Sequence, residues 1–452
     1  MGLIHKITSE KNVQSLATSI LVAAINLITF VLLVRTLGKE EFGKWVIFVT
    51  AASLADLIRF GITRRALIHF ISGYQATQAD RFKASGFLLD LIIGIVMALL
   101  IFFIHLLFSD MLGLYRLFFK YYPLLILTGL VWNNAFSIQQ AQQNFDRIML
   151  IRLLFNIPFF LFVIIDYYTR QWYTEQVIMV FIVLNLVPSV WTLIRGWSGA
   201  QLIMKSDFES LKRLFNYGKF TVLTSTGSSL LKSADTLIIG LSPILGAKGV
   251  AIYSIAFKII DLIQIPLNAF IATASPKLSK AYINQKIDDF RNTLFTYTGA
   301  VSMLFIPVVV TAALLSKYVL LFFAGTDFTD DLPVMTHIYL IVLAYGLMMP
   351  LDRFTGVALD SAEMPSKNAL KVYIMLFLNL SGNALAVFIF KSLPMVAAVS
   401  VIFTLTGIIL GWWFLIRKLR LNPLGIISAG SDFYKFFFNR IKSSLQHVHT
   451  GS

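Results

Sequence analysis

Three pairs of oppositely charged side chains stand three residues apart inside long apolar runs of the sequence. The pairs are Asp56 with Arg59, Lys232 with Asp235, and Lys258 with Asp261. Residues three apart lie on one face of a helix, so each pair can form an ion pair within its own helix. A charged group inside an apolar run is costly unless it meets a partner, water or an ionic ligand. These pairs are therefore candidates to bind an anion or a coupling ion such as H⁺ or Na⁺.

The composition places these pairs in a membrane protein. Of the 452 residues, 57% are hydrophobic, 13% are charged and 40 are phenylalanine. An ordinary soluble domain carries about 25% charged residues. The apolar runs last about 20 residues, the length of a membrane-spanning helix, whereas the strands of a membrane barrel alternate over about 10. The sequence therefore predicts an all-α polytopic membrane protein.

Twelve membrane-spanning helices are predicted. Their approximate ranges are 13–36, 43–65, 84–108, 115–140, 148–168, 174–195, 217–241, 247–272, 293–315, 335–358, 366–390 and 394–416. Lysine and arginine concentrate in alternate connections, which predicts that both termini are cytoplasmic. The first apolar run has no cleavage pattern after it, so we expect it to be retained. The net charge of +15 then reflects topology and attraction to anionic lipid, and no nucleic-acid partner is expected.

The two halves of the chain share a short motif. The sequence ADLI at 55–58 resembles IDLI at 260–263, and a glycine-containing turn precedes each. Because six predicted spans separate the copies, both have the same orientation in the membrane. We therefore predict two pseudo-symmetric six-helix halves around a central cavity. The predicted divisions are an N-terminal half (1–200), an amphipathic cytoplasmic linker (201–216), a C-terminal half (217–420) and a cytoplasmic interfacial tail (421–452).

Amide and basic side chains in the predicted spans are further candidates to line the cavity. The amides are Asn133, Asn134, Asn379 and Asn383. An amide in a membrane helix can also serve only to bond a neighbouring helix, and the charged pairs can be purely structural. Arg59, Arg64 and Arg65 lie toward the inner end of the second span, where they can anchor topology or contact a ligand. The sequence leaves these alternatives open.

Two stretches of the sequence resemble a known family. SADTLIIG at 233–240, followed by LG at 245–246 and GVAIY at 249–253, is similar to the start of the second half of polysaccharide-exporting flippases. These proteins belong to the multidrug/oligosaccharidyl-lipid/polysaccharide (MOP) superfamily. The segment 37–43, which begins with Leu-Gly, ends with Phe-Gly and is followed by Trp45, resembles the same element of the first half. The likeness covers essentially all twelve spans.

The resemblance implies a Wzx-type transporter. Such a protein moves an undecaprenyl-pyrophosphate-linked oligosaccharide from the cytoplasmic to the outer face of a bacterial inner membrane by alternating access. The product serves cell-surface polysaccharide such as O-antigen, capsule or exopolysaccharide. The resemblance also implies membrane lipids, a polysaccharide polymerase and other assembly proteins as partners.

The substrate implied by the resemblance suggests roles for the candidate residues. A pyrophosphate carries two or more negative charges, so its passage requires cations that replace its hydration. The substrate-binding candidates are Lys232, Lys258, Arg59, Asn133, Asn134, Asn379 and Asn383. The ion-coupling candidates are Asp56, Asp235 and Asp261. We expect coupling to H⁺ or Na⁺, no other cofactor, no metal site and no catalytic residue.

Three other classes of protein stay open from the sequence. A MATE-like drug exporter of the same superfamily would favour acidic and aromatic sites for cationic cargo. A membrane-embedded polysaccharide polymerase or ligase would need a large outer loop with charged residues, and the most acidic loop holds Asp327, Asp330 and Asp331, which we interpret as a solvated turn. A channel is the least favoured, since no segment resembles a re-entrant filter.

Overall fold

The computed structural model describes residues 11–73 and 76–449, and every regular element in those ranges is helical. The helices of the first half are α1 (Lys11–Gly73), α2 (Ala76–Phe108), α3 (Arg116–Ala141), α4 (Phe145–Thr169), α5 (Thr174–Leu184), α6 (Leu186–Ile194) and α7 (Phe208–Gly240). Those of the second half are α8 (Gly246–Ile283), α9 (Ile287–Leu314), α10 (Ser316–Ala324), α11 (Leu332–Ser361), α12 (Pro365–Ala384), α13 (Leu393–Leu419) and α14 (Gly425–His449). Residues 1–10, 74–75 and 450–452 of the predicted divisions lie outside the described residues.

Glycines shape the start of both motif-bearing segments. Gly38 interrupts α1 with φ 72° and ψ −179°, and Gly246 at the start of α8 has φ 48°. Both values lie in the region that glycine reaches without the steric cost of a Cβ. The segments also touch, because a Cβ on Gly43 would collide with the carbonyl group of Ala247. The turn glycines noted in the sequence therefore permit both a bend and a close helix contact.

The predicted spans correspond to helices. Ten helical segments of the described residues are long and apolar enough to cross a membrane. The longest, Ile20–Ser72, overlaps two predicted spans on either side of Gly38, and the predicted span 217–241 overlaps α7. Each of the twelve predicted spans overlaps a helix. The all-α polytopic fold is confirmed, and the protein is a multi-pass membrane protein.

The chain divides into two compact units. The first comprises Met1–Ala251 with Phe323–Phe328, and the second comprises Ile252–Phe322 with Thr329–Ser452. In the first unit, α1 packs against α7, α4, α3 and α2, and α3 packs against α2. In the second, α11 packs against α13 and α9, and α12 packs against α13. The predicted halves and their symmetry around a central cavity stay predictions.

The predicted linker contributes the beginning of a long helix. After a short 3₁₀ helix at Ala200–Lys205, Asp207 caps α7 by accepting a hydrogen bond from the backbone N–H of Ser210 at 2.8 Å. This bond satisfies one of the donors that a helix N-terminus leaves without an intrahelical partner. The residues from Phe208 onward are therefore continuous with α7.

The tail is also helical and docks on its own unit. Helix α14 packs against α9, and the Tyr434 hydroxyl donates a hydrogen bond to the carbonyl oxygen of Ala300 at 2.9 Å. The predicted interfacial tail thus has a protein contact in addition to its amphipathic sequence.

Candidate functional site

The first charged pair predicted from spacing is present in α1. Arg59 Nη2 lies 2.9 Å from Asp56 Oδ1, which also accepts a hydrogen bond from the Tyr122 hydroxyl at 2.9 Å. Arg59 is almost fully buried, with 1% of its side chain exposed, whereas that of Asp56 is 32% exposed. A second guanidinium nitrogen of Arg59 donates to the carbonyl oxygen of Ile126 at 3.4 Å. The pair joins α1 to α3 and leaves the carboxylate partly accessible.

A buried carboxylate, Asp90 on α2, was missed by the sequence analysis. It accepts a hydrogen bond from the Thr63 hydroxyl at 2.5 Å and another from Asn134 Nδ2 at 2.7 Å. Only 1% of Asp90 is exposed. The sequence could have indicated Asp90, because it is the one acidic residue in the predicted span 84–108. Asn134 thus bonds a neighbouring helix, as such amides often do, and its proposed role in substrate binding stays a prediction.

A pocket of about 190 Å³ lies within the first unit beside the Asp56–Arg59 pair. Its lining includes Asp56, Arg59, Trp132, Asn133, Phe155 and Asn185. Helices α3, α4 and α5 contribute the rings of Trp132, Phe155 and Phe181, and α1 contributes Phe48 and the charged pair. We call this the aromatic pocket. The structure thus brings together three of the residues singled out in the sequence, Asp56, Arg59 and Asn133.

The polar side chains of the aromatic pocket are held by hydrogen bonds. Trp132 Nε1 donates to Asn185 Oδ1 at 3.0 Å, and Asn185 Nδ2 donates to the carbonyl oxygen of Phe181 at 2.7 Å. Asn133 Nδ2 donates to the carbonyl oxygen of Gly129 at 2.9 Å. These bonds hold the amide groups in place. The Asn133 amide oxygen remains as an acceptor at the pocket wall, beside the Asp56 carboxylate. The sequence analysis did not single out Trp132 or Phe155, because aromatic residues are common throughout this chain.

Two arginines meet one aromatic ring beyond the pocket. The guanidinium carbon of Arg64 lies 4.6 Å from the centre of the Phe136 ring, and that of Arg152 lies 5.0 Å from the same centre. Arg64 Nη2 also donates to Gln140 Oε1 at 2.9 Å. Within the described residues, neither arginine has an ion pair with a carboxylate. We call Arg64 and Arg152 the arginine pair.

The aromatic pocket and the arginine pair lie along the same helices. On α3, Trp132, Phe136 and Gln140 are spaced by four residues and so share one helical face. On α1, Arg64 follows Arg59 by five residues, and on the antiparallel α4, Arg152 precedes Phe155 by three. On each of the three helices, the residue at the arginine pair is displaced from the pocket residue in the same direction. The arginine pair is therefore on the side of the pocket toward the α3–α4 connection.

The other sequence candidates of the first unit lie on α7. Asp235 is buried, with 5% exposed, and Lys232 is exposed. Neither lines the aromatic pocket. Their proposed roles in binding and coupling stay predictions.

In the second unit, the predicted pair of Lys258 and Asp261 is present. Lys258 Nζ lies 2.8 Å from Asp261 Oδ2, and the two side chains are 23% and 59% exposed. Asn379 and Asn383 are fully buried one turn apart on α12. The roles proposed for all four residues stay predictions.

A further ion pair in the second unit, between a buried lysine and a mostly buried aspartate, was not expected. Lys371 Nζ lies 2.8 Å from Asp352 Oδ1 and 3.3 Å from the Thr355 hydroxyl, and only 3% of its side chain is exposed. Because α12 begins at Pro365, Lys371 is more than a full turn inside the helix and faces α11.

No group of three or more metal-binding side chains is found within residues 11–73 and 76–449. Coupling to H⁺ or Na⁺ through Asp56, Asp235 or Asp261 stays a prediction. The arrangement found in the first unit can hold a ring-shaped group in the aromatic pocket and an anion at the arginine pair.

Several solved transporter structures have a similar arrangement of helices. An inward-facing multidrug resistance MATE family transporter of the MOP superfamily has a TM-score of 0.72 at 18% identity, covering 90% of this chain and 95% of its own. The lipid II flippase MurJ in an inward closed conformation has a TM-score of 0.70 at 14% identity, covering 94% and 92%. A MOP superfamily transporter from Pyrococcus furiosus has a TM-score of 0.60 at 16% identity, covering 90% and 95%. The chain therefore has the fold of MOP transporters.

The family follows from the sequence match. Residues 9–282 match the model of the family described as polysaccharide biosynthesis protein, so the chain belongs to this family and the predicted resemblance is confirmed. Among curated proteins, the probable low-salt glycan biosynthesis flippase Agl15 of Haloferax volcanii is 20% identical over 207 residues. That alignment covers 46% of this chain and 43% of the relative. The chain thus spans less than half the length of the curated relative that it matches.

Proposed function

We propose that this protein is a flippase for a lipid-linked oligosaccharide. It moves an undecaprenyl-pyrophosphate-linked glycan from the cytoplasmic to the outer face of a bacterial inner membrane, with both termini cytoplasmic. The exported glycan feeds cell-surface polysaccharide such as O-antigen, capsule or exopolysaccharide. Family membership, the MOP fold and the flippases among its relatives support this proposal.

One observation in the structure carries the proposal. The arginine pair places two guanidinium groups at the same ring, that of Phe136, and no carboxylate of the described residues pairs with either. Cations inside a membrane protein are costly unless an anion or water compensates them. A pyrophosphate supplies two or more negative charges and matches the planar donor groups of arginine, which bind phosphate oxygens in pairs. We therefore assign the pyrophosphate to the arginine pair.

The arginine pair adds to the cations predicted from the sequence. Arg59 already has a carboxylate partner in Asp56, and Lys258 has one in Asp261. A paired cation must give up or share its partner before it can compensate a phosphate, whereas Arg64 and Arg152 need no such exchange. Within the proposal, Arg64 and Arg152 make the first contact and Lys232 and Lys258 act along the rest of the path.

The proposal is tested in a bacterial strain that lacks its own flippase. The measured quantity is delivery of the strain's lipid-linked oligosaccharide to the outer face, compared between the parent protein and the Arg64→Gln/Arg152→Gln variant at equal membrane abundance. Loss of charge-assisted bonds to a phosphate costs about 1.4 kcal/mol or more, so we expect at least about tenfold slower delivery. Arg170→Gln is the matched control, because Arg170 is exposed at the end of α4 and far along the helix from the arginine pair.

Equal delivery by the parent and the double variant would remove the arginine pair from the transport path. Delivery by neither, with both proteins abundant in the membrane, would reject this glycan as the cargo. A loss caused equally by Arg170→Gln would show that the assay reports total charge and not the site.

Export of an organic cation is a second candidate function. The aromatic pocket combines Asp56 with several aromatic rings, which is a composition that suits cationic cargo. Arg59 in the same pocket opposes it by neutralising Asp56. Efflux of ethidium from cells that produce the protein, lost in Asp56→Asn, would favour this second function over the first.

A further inference from the structure

The aromatic pocket has the size of one sugar ring. Its volume is about 190 Å³. A six-membered carbon ring such as benzene fills an engineered cavity of about 150 Å³, so there is room here for one pyranose with its hydroxyl groups and no room for two. The pocket is therefore a site for a single ring and not for a whole oligosaccharide.

The walls of the pocket suit the two kinds of surface that a pyranose presents. The rings of Trp132 and Phe155 are nearly parallel, with centres 6.4 Å apart and an interplanar angle of 12°. The Phe181 ring meets that of Phe155 edge-on at 5.0 Å. The C–H faces of a sugar pack on the electron-rich faces of such rings. The aromatic residues thus supply a surface for the apolar faces of the ligand.

Hydrogen-bond acceptors in the pocket wall suit the hydroxyl groups of the sugar. Asp56 accepts hydrogen bonds from Arg59 and from Tyr122, and both bonds go to its Oδ1 atom. Within the described residues, no donor bonds Oδ2. Asn133 uses its N–H group toward Gly129, which leaves its carbonyl oxygen as an acceptor. Sugar hydroxyls donate hydrogen bonds and can reach both oxygens. A carboxylate that is already compensated by a guanidinium favours a neutral polyhydroxyl ring over a cation.

The spacing between the pocket and the arginine pair is short on all three shared helices. At about 1.5 Å per residue, Arg64 lies about 7.5 Å along α1 from Arg59, and Phe136 lies about 6 Å along α3 from Trp132. On α4, Arg152 is about 4.5 Å from Phe155 along the axis. In a glycosyl pyrophosphate, one oxygen atom joins the sugar to the nearer phosphate. The two groups must therefore occupy neighbouring sites, as the pocket and the arginine pair do.

We propose that the aromatic pocket holds the first sugar of the glycan, the pyranose joined directly to the pyrophosphate, while the arginine pair holds the pyrophosphate. This inference rests on the proposed function and adds to it a site that selects the cargo. The protein would then recognise the sugar with which glycan assembly begins, whatever sugars follow. Trp132 and Asp56 would contact that sugar directly.

Binding to the purified full-length protein tests the inference by isothermal titration calorimetry in detergent. The probes are farnesyl pyrophosphate and three farnesyl pyrophosphates that carry a single glucose, galactose or N-acetylglucosamine. We expect at least one sugar to improve the affinity about tenfold over farnesyl pyrophosphate. Trp132→Leu should remove that gain and leave the affinity for farnesyl pyrophosphate unchanged, whereas Arg152→Gln should weaken all probes about tenfold.

Two further variants distinguish loss of the sugar site from a folding defect. Ser53→Val adds bulk at an exposed residue of the pocket lining and should remove the sugar gain without disturbing the core. Trp172→Leu removes an exposed tryptophan outside the pocket and should bind every probe as the parent does.

The outcomes separate this inference from the proposed function. If farnesyl pyrophosphate binds and no sugar improves its affinity, the sugar site is rejected while the pyrophosphate site stands. The same holds if Trp132→Leu and Ser53→Val weaken all probes equally. If the parent binds none of the probes, the pyrophosphate site of the proposed function fails and the sugar site fails with it.

Discussion

Gly299 and Gly430 meet where α9 crosses α14. A Cβ on Gly299 would fall against the carbonyl oxygen of Ile426 and would lie 2.8 Å from the backbone nitrogen of Gly430. The two backbones approach this closely only because neither residue has a side chain. The tail helix is therefore fitted to α9 by packing, with the Tyr434 hydrogen bond beside it.

We expect Gly299→Ala to loosen α14 from α9. The added methyl group meets backbone atoms that no rotamer change can move, and overpacking of this kind costs about 1–3 kcal/mol. Limited trypsin digestion of the protein in detergent should release the tail segment faster in the variant than in the parent. The control is Gly346→Ala, whose nearest contact is the flexible end of the Ile260 side chain at 3.2 Å. Equal digestion of Gly299→Ala and the parent would contradict the close packing.

The cap of α7 gives a prediction that depends on pH. The Ser210 backbone N–H holds the pKa of Asp207 below its usual range. Replacement by alanine should cost about 1 kcal/mol, because it leaves a helix donor without its acceptor. A carboxyl group with a lowered pKa stabilises the folded state while it is ionised, and loses this contribution as the pH falls through the folded-state pKa.

The Asp207→Ala variant should therefore melt at a lower temperature than the parent at pH 7. The difference should shrink as the pH falls below about 4, where the parent carboxyl becomes protonated. Asp207→Asn retains a capping oxygen that does not titrate, so this variant should stay close to the parent at pH 7 and should keep its cap as the pH falls. A difference between Asp207→Ala and the parent that is constant from pH 7 to pH 3 would show that ionisation of Asp207 does not contribute.

The ion pair of Lys371 with Asp352 predicts that the effects of single and double substitutions on stability are strongly non-additive. Removing one partner leaves a buried charge uncompensated, which costs about 3–5 kcal/mol, whereas replacing both by apolar residues is often close to neutral. Lys371→Met should therefore lower the melting temperature in detergent far more than Lys371→Met/Asp352→Leu does. Equal destabilisation by the single and double variants would mean that the pair is not coupled.

The sequence predicted the helices well and the contacts between them poorly. Runs of apolar residues and the turn at Gly38 are local signals, and each predicted span overlaps a helix. The ion pairs of Asp56 with Arg59 and of Lys258 with Asp261 are also local, since three residues separate the partners. Their spacing alone was enough to predict them.

Contacts that join distant residues had no such signal. Arg64 and Arg152 are 88 positions apart by number and meet only because α1, α3 and α4 pack around Phe136. Asp90 was visible as a lone acidic residue, but its partners Thr63 and Asn134 come from two other helices. A single sequence does not contain the pairing of such positions. The pocket and the arginine pair therefore required the fold.

The Lys258–Asp261 pair allows a structural role to be separated from a role in transport. Its side chains are 23% and 59% exposed, so the pair is accessible to a ligand. Lys258→Asp/Asp261→Lys keeps two opposite charges three residues apart and should preserve the ion pair and the membrane abundance. It moves the cation by nearly one helical turn, about 4.5 Å along the axis. If Lys258 contacts the pyrophosphate, delivery of the lipid-linked oligosaccharide should fall about tenfold in this exchange variant and also in Lys258→Ala. If the pair only stabilises α8, the exchange variant should transport like the parent, and that result would remove Lys258 from the binding site.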